Sequence, residues 1–202
     1  LPEKNFIFCC FNTNTKFLPN TIKLWSAILK QVPKSVLWLI SDNIIVKKNL
    51  KKEFEKRDID QERIIFSSKT TISEHLVRIK HADLFLDTFP YNAHTSCSDS
   101  IWAGVPVVTL EGKSFQSRVA SSLLNTSRLN ELIAKSEEEY IEKAVEIAKN
   151  KNQLASLKEK LINFKDSNPL FDNILFTNNI ERAYSIALEK YFKRENPEDI
   201  YL

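Results

Sequence analysis

The stretch LDTFPYNAHTSCSDSIWAGVP, residues 86–106, decides the fold of this chain. An apolar run at 82–87, closed by an acid, is typical of a buried strand, and the turn-forming residues 89–92 interrupt it. Thr95 or Ser96 then provides the cap of a helix, as side-chain hydroxyls commonly do. This order predicts a strand, a polar loop and a helix N-terminus, which is where α/β proteins bind phosphate groups.

Two side chains beside this helix start favour a nucleotide as the ligand. His94 adds a hydrogen-bond donor, and Asp99, about one turn into the helix, places a carboxylate where it can hold a pair of ribose hydroxyls. Free N–H groups and the positive end of the helix dipole face the same loop. An ordinary helix cap explains the same residues. In that case His94 hydrogen-bonds to a neighbouring carbonyl, and the Asp99 carboxylate interacts favourably with the positive end of the helix dipole. The stretch alone leaves both interpretations open.

Short apolar runs alternate with helical patterns along the chain. This alternation predicts an α/β fold, a Rossmann-like doubly wound parallel sheet with a C-terminal helical tail. We expect strands at 5–11, 35–40, 64–67, 82–87 and 105–110, with a short sixth strand at 132–134. We expect helices at 19–31, 44–56, 73–80, 96–103, 115–124, 137–149, 153–164 and 173–192.

The composition limits the class of partner. The chain has 202 residues, 43% of them hydrophobic, enough for one domain with a sizeable core. Its 29 basic and 26 acidic side chains give a net charge of +3, so we expect no nucleic-acid partner. Gly104 and Gly112 are the only two glycines, which excludes a glycine-rich dinucleotide fingerprint. A phosphate must instead be bound by helix N–H groups, hydroxyls and basic side chains.

The cysteines and the hydropathy pattern indicate the compartment. Cys9, Cys10 and Cys97 match neither a disulfide framework nor a metal-ligand spacing, which favours a reducing, cytoplasmic environment. No apolar stretch reaches the roughly 18 residues that span a bilayer, so we expect no membrane span.

The first predicted strand leads into a second candidate for phosphate binding. The sequence FNTNTK, residues 11–16, places polar residues at the carboxyl end of that strand, where open α/β sheets bind ligands. Lys16 is within reach of a diphosphate there. A solvated loop lysine is the alternative, because the chain has many lysines.

Residues 86–106 resemble the signature of the O-linked N-acetylglucosamine transferase family, glycosyltransferase family 41, in its bacterial members. The resemblance spans roughly the whole chain and thins after Ala134. In that family two Rossmann-like halves form a GT-B catalytic region, and this chain is similar to the second half. We therefore expect a Rossmann-like nucleotide-sugar-binding core at 1–135 and a helical tail at 136–202 that packs on the same domain. The agreement outside the signature covers Phe11 and Asn12 with Lys16, 33–39, 63–66, 74–78 and 117–120.

The resemblance implies an inverting transfer of a sugar, N-acetylglucosamine, from a UDP-sugar to a serine or threonine hydroxyl of a protein. It identifies Lys16 as the catalytic residue that neutralises the departing nucleoside diphosphate, with His94, Thr95 and Ser96 also at the diphosphate. The family needs no metal, and this chain has no plausible Asp-x-Asp metal pair. The protein acceptor is expected to bind through the N-terminal half, which this chain does not resemble.

Three further residues are expected to bind the nucleoside. His75 and Arg78 lie three residues apart, so they share a helix face, and the corresponding residues of the family border the uracil. Asp99 resembles the ribose-binding aspartate of the family. The alternative is an ion pair between Glu74 and Arg78, with His75 as a packing or capping residue.

Three positions depart from the family pattern. Thr13 stands where animal members have glutamine, Ile72 where they have a lysine near the nucleoside, and Ala93 where a glycine is usual. If that glycine serves a positive backbone angle, alanine predicts strain or a shifted loop. A degenerate, non-catalytic nucleotide-binding or scaffold module therefore stays an alternative. A GT-B transferase with a glycan or lipid acceptor is another, because the acceptor contacts lie largely on the other half.

The last predicted helix carries an amphipathic stripe of Ile180, Tyr184, Ala187 and Leu188. We expect most of this stripe to pack on the chain's own sheet. In GT-B proteins the final helix often braces the other half, and an apolar patch left uncovered predicts self-association of the domain.

Overall fold

Six strands form one parallel sheet in the computed structural model, which describes residues 1–2 and 4–202. The order across the sheet is 3-2-1-4-5-6, and every neighbouring pair is parallel. This order confirms the predicted doubly wound α/β fold. Glu3, which falls in the predicted core 1–135, lies outside the described residues. The strands are β1 (Phe6–Cys10), β2 (Ser35–Ile40), β3 (Ile64–Ser67), β4 (Leu84–Leu86), β5 (Val107–Leu110) and β6 (Ile133–Ala134).

The strand order reverses between β1 and β4, which are neighbours in the sheet but not in the chain. The sheet continues from β1 through β2 and β3 on one side, and from β4 through β5 and β6 on the other. The loops after β1 and β4 therefore diverge and leave a crevice at the carboxyl edge of the sheet. Residues 11–16 and 87–94 follow these two strands, so the fold brings both candidate phosphate-binding loops to this crevice.

Eight α-helices connect and follow the strands in the described part of the chain. Most predicted bounds agree with the structure to within one or two residues. The predicted helix at 115–124 is instead a 3₁₀ turn, Phe115–Ser117, followed by a separate helix, because Ser114 and Ser117 hydrogen-bond to each other and close the turn. The helices are α1 (Pro19–Gln31), α2 (Ile44–Glu55), α3 (Ile72–Ile79), α4 (Thr95–Trp102), α5 (Val119–Thr126), α6 (Glu137–Lys149), α7 (Lys151–Phe164) and α8 (Asn173–Lys193).

Strands β1, β2, β4 and β5 are largely buried on both faces, as expected for a sheet between two layers of helices. Phe8, Leu37 and Phe85, on three adjacent strands, have no exposed surface. The helices α1 and α6 pack together, and Trp25 Nε1 donates a hydrogen bond of 3.1 Å to the Tyr140 hydroxyl between them. Since α6 lies in the stretch predicted as a tail, the first tail helix contributes to the core of the sheet.

The last helix departs from the prediction. The side chains of α8 are all at least partly exposed, and Tyr184 in the predicted stripe is 67% exposed. The 3₁₀ turn Pro169–Phe171, just before α8, makes the apolar contact instead, with the rings of Phe171 and Trp102 4.9 Å apart. The expectation that the stripe packs on the chain's own sheet is therefore wrong. Across the described residues, no helix is both long and apolar enough to cross a membrane.

Candidate functional site

The N-terminus of α4 opens onto the crevice. The helix begins at Thr95 with His94 as its N-cap residue, and the His94 carbonyl accepts the first two hydrogen bonds of the helix. The prediction that Thr95 or Ser96 caps the helix is wrong, because the hydrogen bond from the Ala93 N–H to Asp87 fixes the loop just before His94. Within residues 1–2 and 4–202, the N–H groups of Thr95 and Ser96 have no acceptor. They are open to an anion.

Asp87 is buried directly after β4, and its carboxylate holds the loop between β4 and α4 in place through hydrogen bonds. Its Oδ1 accepts hydrogen bonds from the N–H groups of Thr88 at 2.7 Å and Ala93 at 2.6 Å. Thr109 Oγ1 donates to Oδ2 at 2.7 Å, and Asn12 Nδ2 donates to Oδ1 at 3.3 Å. Burial raises the pKa of Asp87 to about 6, against the effect of these hydrogen bonds, so the carboxylate is charged at neutral pH.

Lys16 reaches across the crevice to the same loop. Its Nζ donates a 2.7 Å hydrogen bond to the Asn92 carbonyl and lies 4.1 Å from the centroid of the Tyr91 ring. Burial lowers the pKa of Lys16, and the negative charge of Asp87 opposes this shift. These contacts differ from those of a solvated loop lysine, the alternative considered from the sequence.

The His94 ring stands between two aromatic side chains. It stacks on Tyr91 with the centroids 5.2 Å apart, and the edge contact with Phe115 has a centroid distance of 6.2 Å. His94 Nε2 is buried and has no hydrogen-bond partner among the residues that the structure describes. A buried ring nitrogen without a partner is uncommon, which suggests that a ligand atom completes its hydrogen bonding.

His75 and Arg78 form one unit on α3. Arg78 Nη2 donates to His75 Nδ1 at 2.8 Å, and Arg78 Nη1 donates to the Ser68 carbonyl at 2.7 Å. The His75 ring also makes an edge contact with Phe11, with the centroids 5.3 Å apart. Burial, and next the charge of Arg78, lower the pKa of His75, so the ring is neutral at pH 7. Because arginine only donates, the proton of the neutral ring lies on Nε2, which can therefore act as a donor.

Glu74 does not form the ion pair with Arg78 that was the alternative interpretation of the sequence. Its carboxylate accepts from the Thr71 N–H at 3.1 Å and the Thr71 hydroxyl at 2.9 Å, which closes a capping box at the start of α3. No ion pair between Glu74 and Arg78 occurs in the described structure. Arg78 is instead bonded to His75 and to the Ser68 carbonyl.

Asp99 lies in the first turns of α4, on the same side as Ser96. It is half-buried, and burial raises the pKa of its carboxyl group. Its carboxylate accepts no hydrogen bond from any described residue. The structure therefore places Asp99 about one helical turn from the open N–H groups, with free acceptor oxygens.

One groove is lined in part by the loop between β4 and α4, and a second is lined by Phe115 and residues of α5. One has a volume of about 370 Å³. The other, of about 560 Å³, begins at Phe115, whose ring touches His94. In the ranges 1–2 and 4–202, no three His, Cys, Asp or Glu side chains are grouped so that they could hold a metal ion. The first groove is lined by Thr13, Thr15, Lys16, Leu18, Pro90 and Tyr91.

A lysine from the loop after β1 and an open helix N-terminus after β4 thus meet at the reversal point of a doubly wound sheet, where such folds bind nucleotides. The family model described as glycosyl transferase family 41 matches residues 1–180. The chain belongs to glycosyltransferase family 41. Its six-stranded sheet is that of one Rossmann-like half of a GT-B enzyme.

Family 41 relatives align with nearly the whole chain. A probable UDP-N-acetylglucosamine–peptide N-acetylglucosaminyltransferase of Arabidopsis thaliana is 40% identical over 185 residues, which cover 91% of this chain and 19% of that protein. The UDP-N-acetylglucosamine–peptide N-acetylglucosaminyltransferase of Caenorhabditis elegans is 36% identical over 191 residues, 95% of this chain and 17% of that protein. The chain thus spans about a fifth of the length of these curated relatives.

A solved family structure has the same fold. The O-GlcNAc transferase of Thermobaculum terrenum superposes with a TM-score of 0.86 at 34% identity. The match covers 89% of this chain and 35% of that one.

This family 41 chain accommodates its departures from the family pattern without backbone strain. Ala93 is buried, and its N–H bonds to Asp87. In the described chain, positive φ angles at residues other than glycine occur only at Asp58, Arg128 and Arg194. Ala93 therefore has no left-handed backbone, and the strain expected for an alanine there is absent. Ile72 and Thr13, the two other departures, are exposed.

In the sequence, Asp87 stood out only as the acid that closes an apolar run. Its role in the loop depends on Thr109 and Asn12, which lie 22 and 75 residues away in the chain. The available signal was a charged residue at the end of a strand that is otherwise entirely apolar, because such an acid must find hydrogen-bond partners in the fold.

Proposed function

We propose that this chain is the donor-nucleotide-binding half of an inverting protein O-glycosyltransferase. The full-length protein transfers N-acetylglucosamine from a UDP-sugar to serine or threonine hydroxyls. The observation that carries this proposal is the meeting of Lys16, the His94 ring and the open N–H groups of α4 around one loop. The relatives from Arabidopsis and Caenorhabditis are named for the transfer of N-acetylglucosamine from UDP to a peptide, which supports both the donor and the peptide acceptor.

The diphosphate binds at the N-terminus of α4. The N–H groups and hydroxyls of Thr95 and Ser96 donate to its oxygens, and His94 Nε2 donates beside them. Lys16 supplies the positive charge. As the bond from the anomeric carbon to the β-phosphate oxygen breaks, negative charge develops on the departing UDP, and Lys16 stabilises it as the catalytic residue.

The nucleoside binds between α3 and α4. The Nε2–H of neutral His75 and the guanidinium of Arg78 match the carbonyl oxygens of uracil, and Arg78 Nε is buried with no partner among the described residues. The free carboxylate of Asp99 accepts from the two ribose hydroxyls. This donor set favours UDP over GDP, whose larger base presents a different edge.

The transfer uses no metal cofactor in this proposal. The positive charge that a divalent cation would bring to the diphosphate comes from Lys16 and the helix N-terminus. A UDP-sugar is therefore the one small molecule that the site needs.

The acceptor binds through another part of the full-length protein. Large apolar side chains lie uncovered in the segments that follow β2 and β5 at the carboxyl edge: Phe115 is 74% exposed and Ile44 77%. Such a rim at the carboxyl edge supports docking of a second half across the donor site. The exposed stripe on α8 supports self-association of this chain when nothing covers it. The three free, buried cysteines support a cytoplasmic location.

Isothermal calorimetry with UDP and GDP tests the donor site directly. We expect UDP to bind more tightly than GDP, and Lys16→Ala to weaken UDP binding by about tenfold or more, since it removes a charge-assisted contact. Lys52→Ala, an exposed lysine on α2, is the matched control and leaves the affinity unchanged. Equal UDP affinity in the Lys16→Ala variant and its control contradicts the site.

Transfer assays with the full-length protein test the reaction. UDP-N-acetylglucosamine and serine- or threonine-containing peptides are expected to give a glycosylated product. UDP binding without transfer to any peptide or glycan would indicate a non-catalytic module, and transfer to a glycan or lipid alone would indicate a different acceptor class.

A further inference from the structure

The buried carboxylate of Asp87 lies beneath the donor site but does not face its ligand space. We propose that Asp87 is a positioning residue for the donor site: it closes the loop at residues 88–93 and is the buried counter-charge of Lys16. This proposal rests on the proposed function, because the ligand whose binding reports the role is UDP.

The loop is closed by a single oxygen atom. Asp87 Oδ1 accepts from the N–H of Thr88 at one end of the loop and from the N–H of Ala93 at the other. The remaining oxygen accepts from Thr109 on β5, and Asn12, just after β1, also donates to the carboxylate. One side chain therefore connects the ends of three neighbouring strands at the point where the sheet reverses.

The loop that Asp87 closes presents the groups of the donor site. The Asn92 carbonyl accepts from Lys16, and the Tyr91 ring contacts both Lys16 and His94. His94 directly follows Ala93, whose N–H is held by Asp87. A change in the Asp87 hydrogen bonds therefore moves the lysine partner and the histidine together.

The second part of the role is electrostatic. The titratable groups around Asp87 are Lys16, the thiols of Cys10 and Cys97, and the Tyr140 hydroxyl. Burial raises the pKa of both thiols and of the tyrosine, so these three groups are neutral at pH 7. Asp87 is then the charge that opposes the effect of burial on the Lys16 ammonium.

Asp87→Asn separates charge from geometry. Asparagine keeps one carbonyl oxygen for the Thr88 and Ala93 N–H groups, and its new NH₂ group can donate to the Thr109 hydroxyl, which is able to accept. The variant therefore keeps the loop and removes the charge. Because burial disfavours the charged carboxylate, the neutral isostere is expected to fold.

The chain offers a matched control in Asp83, which precedes the same strand. Its carboxylate accepts from the Ile7 N–H at 2.9 Å and pairs with Lys158 at 3.1 Å, at the opposite edge of the sheet. Asp83→Asn is the same chemical change on the same strand, outside the donor site.

The test measures the affinity of the full-length protein for UDP by calorimetry from pH 7 to pH 10. We expect the alkaline loss of affinity to move to lower pH in Asp87→Asn, because Lys16 loses its proton more easily without the counter-charge. Asp83→Asn keeps the pH profile of the unmodified protein. Titration of the uracil ring is the same in every arm, so it does not affect this difference.

An identical pH profile in Asp87→Asn and the unmodified protein overturns the proposal that Asp87 is the counter-charge of Lys16. If the unmodified protein does not bind UDP at all, the proposed function fails instead, and the two failures are distinct. Should Asp87→Asn not fold, the ¹³Cε resonance of Lys16 in the unmodified protein decides. It is expected to show an inflection at about pH 6, where Asp87 ionises, and its absence also overturns the proposal.

Discussion

Replacing Tyr140 with phenylalanine is expected to destabilise the domain without weakening nucleotide binding. The Tyr140 hydroxyl, on α6, donates to the Asp87 backbone carbonyl at 2.9 Å and accepts from Trp25 Nε1 at 3.1 Å. All three residues are buried. The hydroxyl therefore joins α1, α6 and the end of β4 in a region that water does not reach.

The magnitude follows from the groups that the substitution leaves unpaired. Phenylalanine keeps the ring, so no large cavity forms, but one carbonyl acceptor and one indole donor lose their partner. Each buried group left without a partner costs about 1–3 kcal/mol, so we expect a loss of roughly 2–6 kcal/mol in the free energy of unfolding. For a domain of this size the melting temperature falls by about 4–24 °C.

Urea unfolding followed by circular dichroism measures this loss, with the m-value checked for constancy. The control is Tyr184→Phe on α8, where the side chain is 67% exposed and a change within about 0.5 kcal/mol is expected. A Tyr140→Phe variant as stable as this control would refute the argument. The substitution removes a hydrogen bond to the Asp87 backbone carbonyl and leaves the Asp87 carboxylate untouched. A tenfold loss of UDP affinity in the folded variant would therefore refute the expectation that nucleotide binding is not weakened.

Four further outcomes are expected. Lys16→Ala lowers kcat of the full-length protein by about 100-fold or more, whereas Lys52→Ala does not, and an unchanged kcat would remove Lys16 from the reaction. UDP affinity falls at acidic pH, below the ordinary histidine range, because burial and Arg78 lower the pKa of His75 and its protonation on Nδ1 breaks the bond from Arg78. Calorimetry of His75→Gln from pH 5.5 to 8 should show a smaller acid limb, since only the part due to His75 is removed, and a limb of equal size would assign it elsewhere. Ala93→Gly destabilises the domain by about 1 kcal/mol in urea unfolding and does not tighten UDP binding, since the backbone of Ala93 is unstrained. Light scattering is expected to detect self-association of this chain, and Leu188→Glu is expected to abolish it. A clean monomer of the unmodified chain at high concentration would contradict the role of the α8 stripe.

The elements that the sequence predicted residue for residue are those with local signals. Pro19 stands in the first turn of α1, where its missing N–H is harmless. Ser136 caps α6 by accepting from the Glu139 N–H, and three acids fill the first turn. The apolar run SVLWLI forms β2 from its first residue to its last. Each signal lies within a few adjacent residues, so the sequence displays it directly.

The start of α4 was predicted one residue late for a physical reason. Hydroxyl side chains are the local favourites for a helix cap, which pointed to Thr95 or Ser96. The loop instead ends at His94 because Asp87 holds the Ala93 N–H, and Asp87 is itself fixed by Thr109, 22 residues further along the chain. Contacts at such separations leave no trace in the local pattern.

The stripe on α8 illustrates a different limit. Its spacing shows which face of the helix is apolar, but not what covers that face. The preceding turn takes the contact with Trp102 through Phe171, and the helix keeps its apolar face exposed. Amphipathicity therefore predicted the helix correctly and its packing incorrectly.

The scarcity of glycine and the buried Asp87 are connected, because together they determine which groups of the chain can bind the phosphate. A glycine-rich loop turns its own N–H groups toward the phosphate, because glycine lets the backbone approach closely. Here the N–H groups of Thr88 and Ala93 point inward to Asp87. The loop is thereby rigid but cannot itself bind the phosphate, so the binding falls to α4, His94 and Lys16. A site built in this way depends on the carboxylate beneath the loop, which is why removing its charge should change how Lys16 titrates.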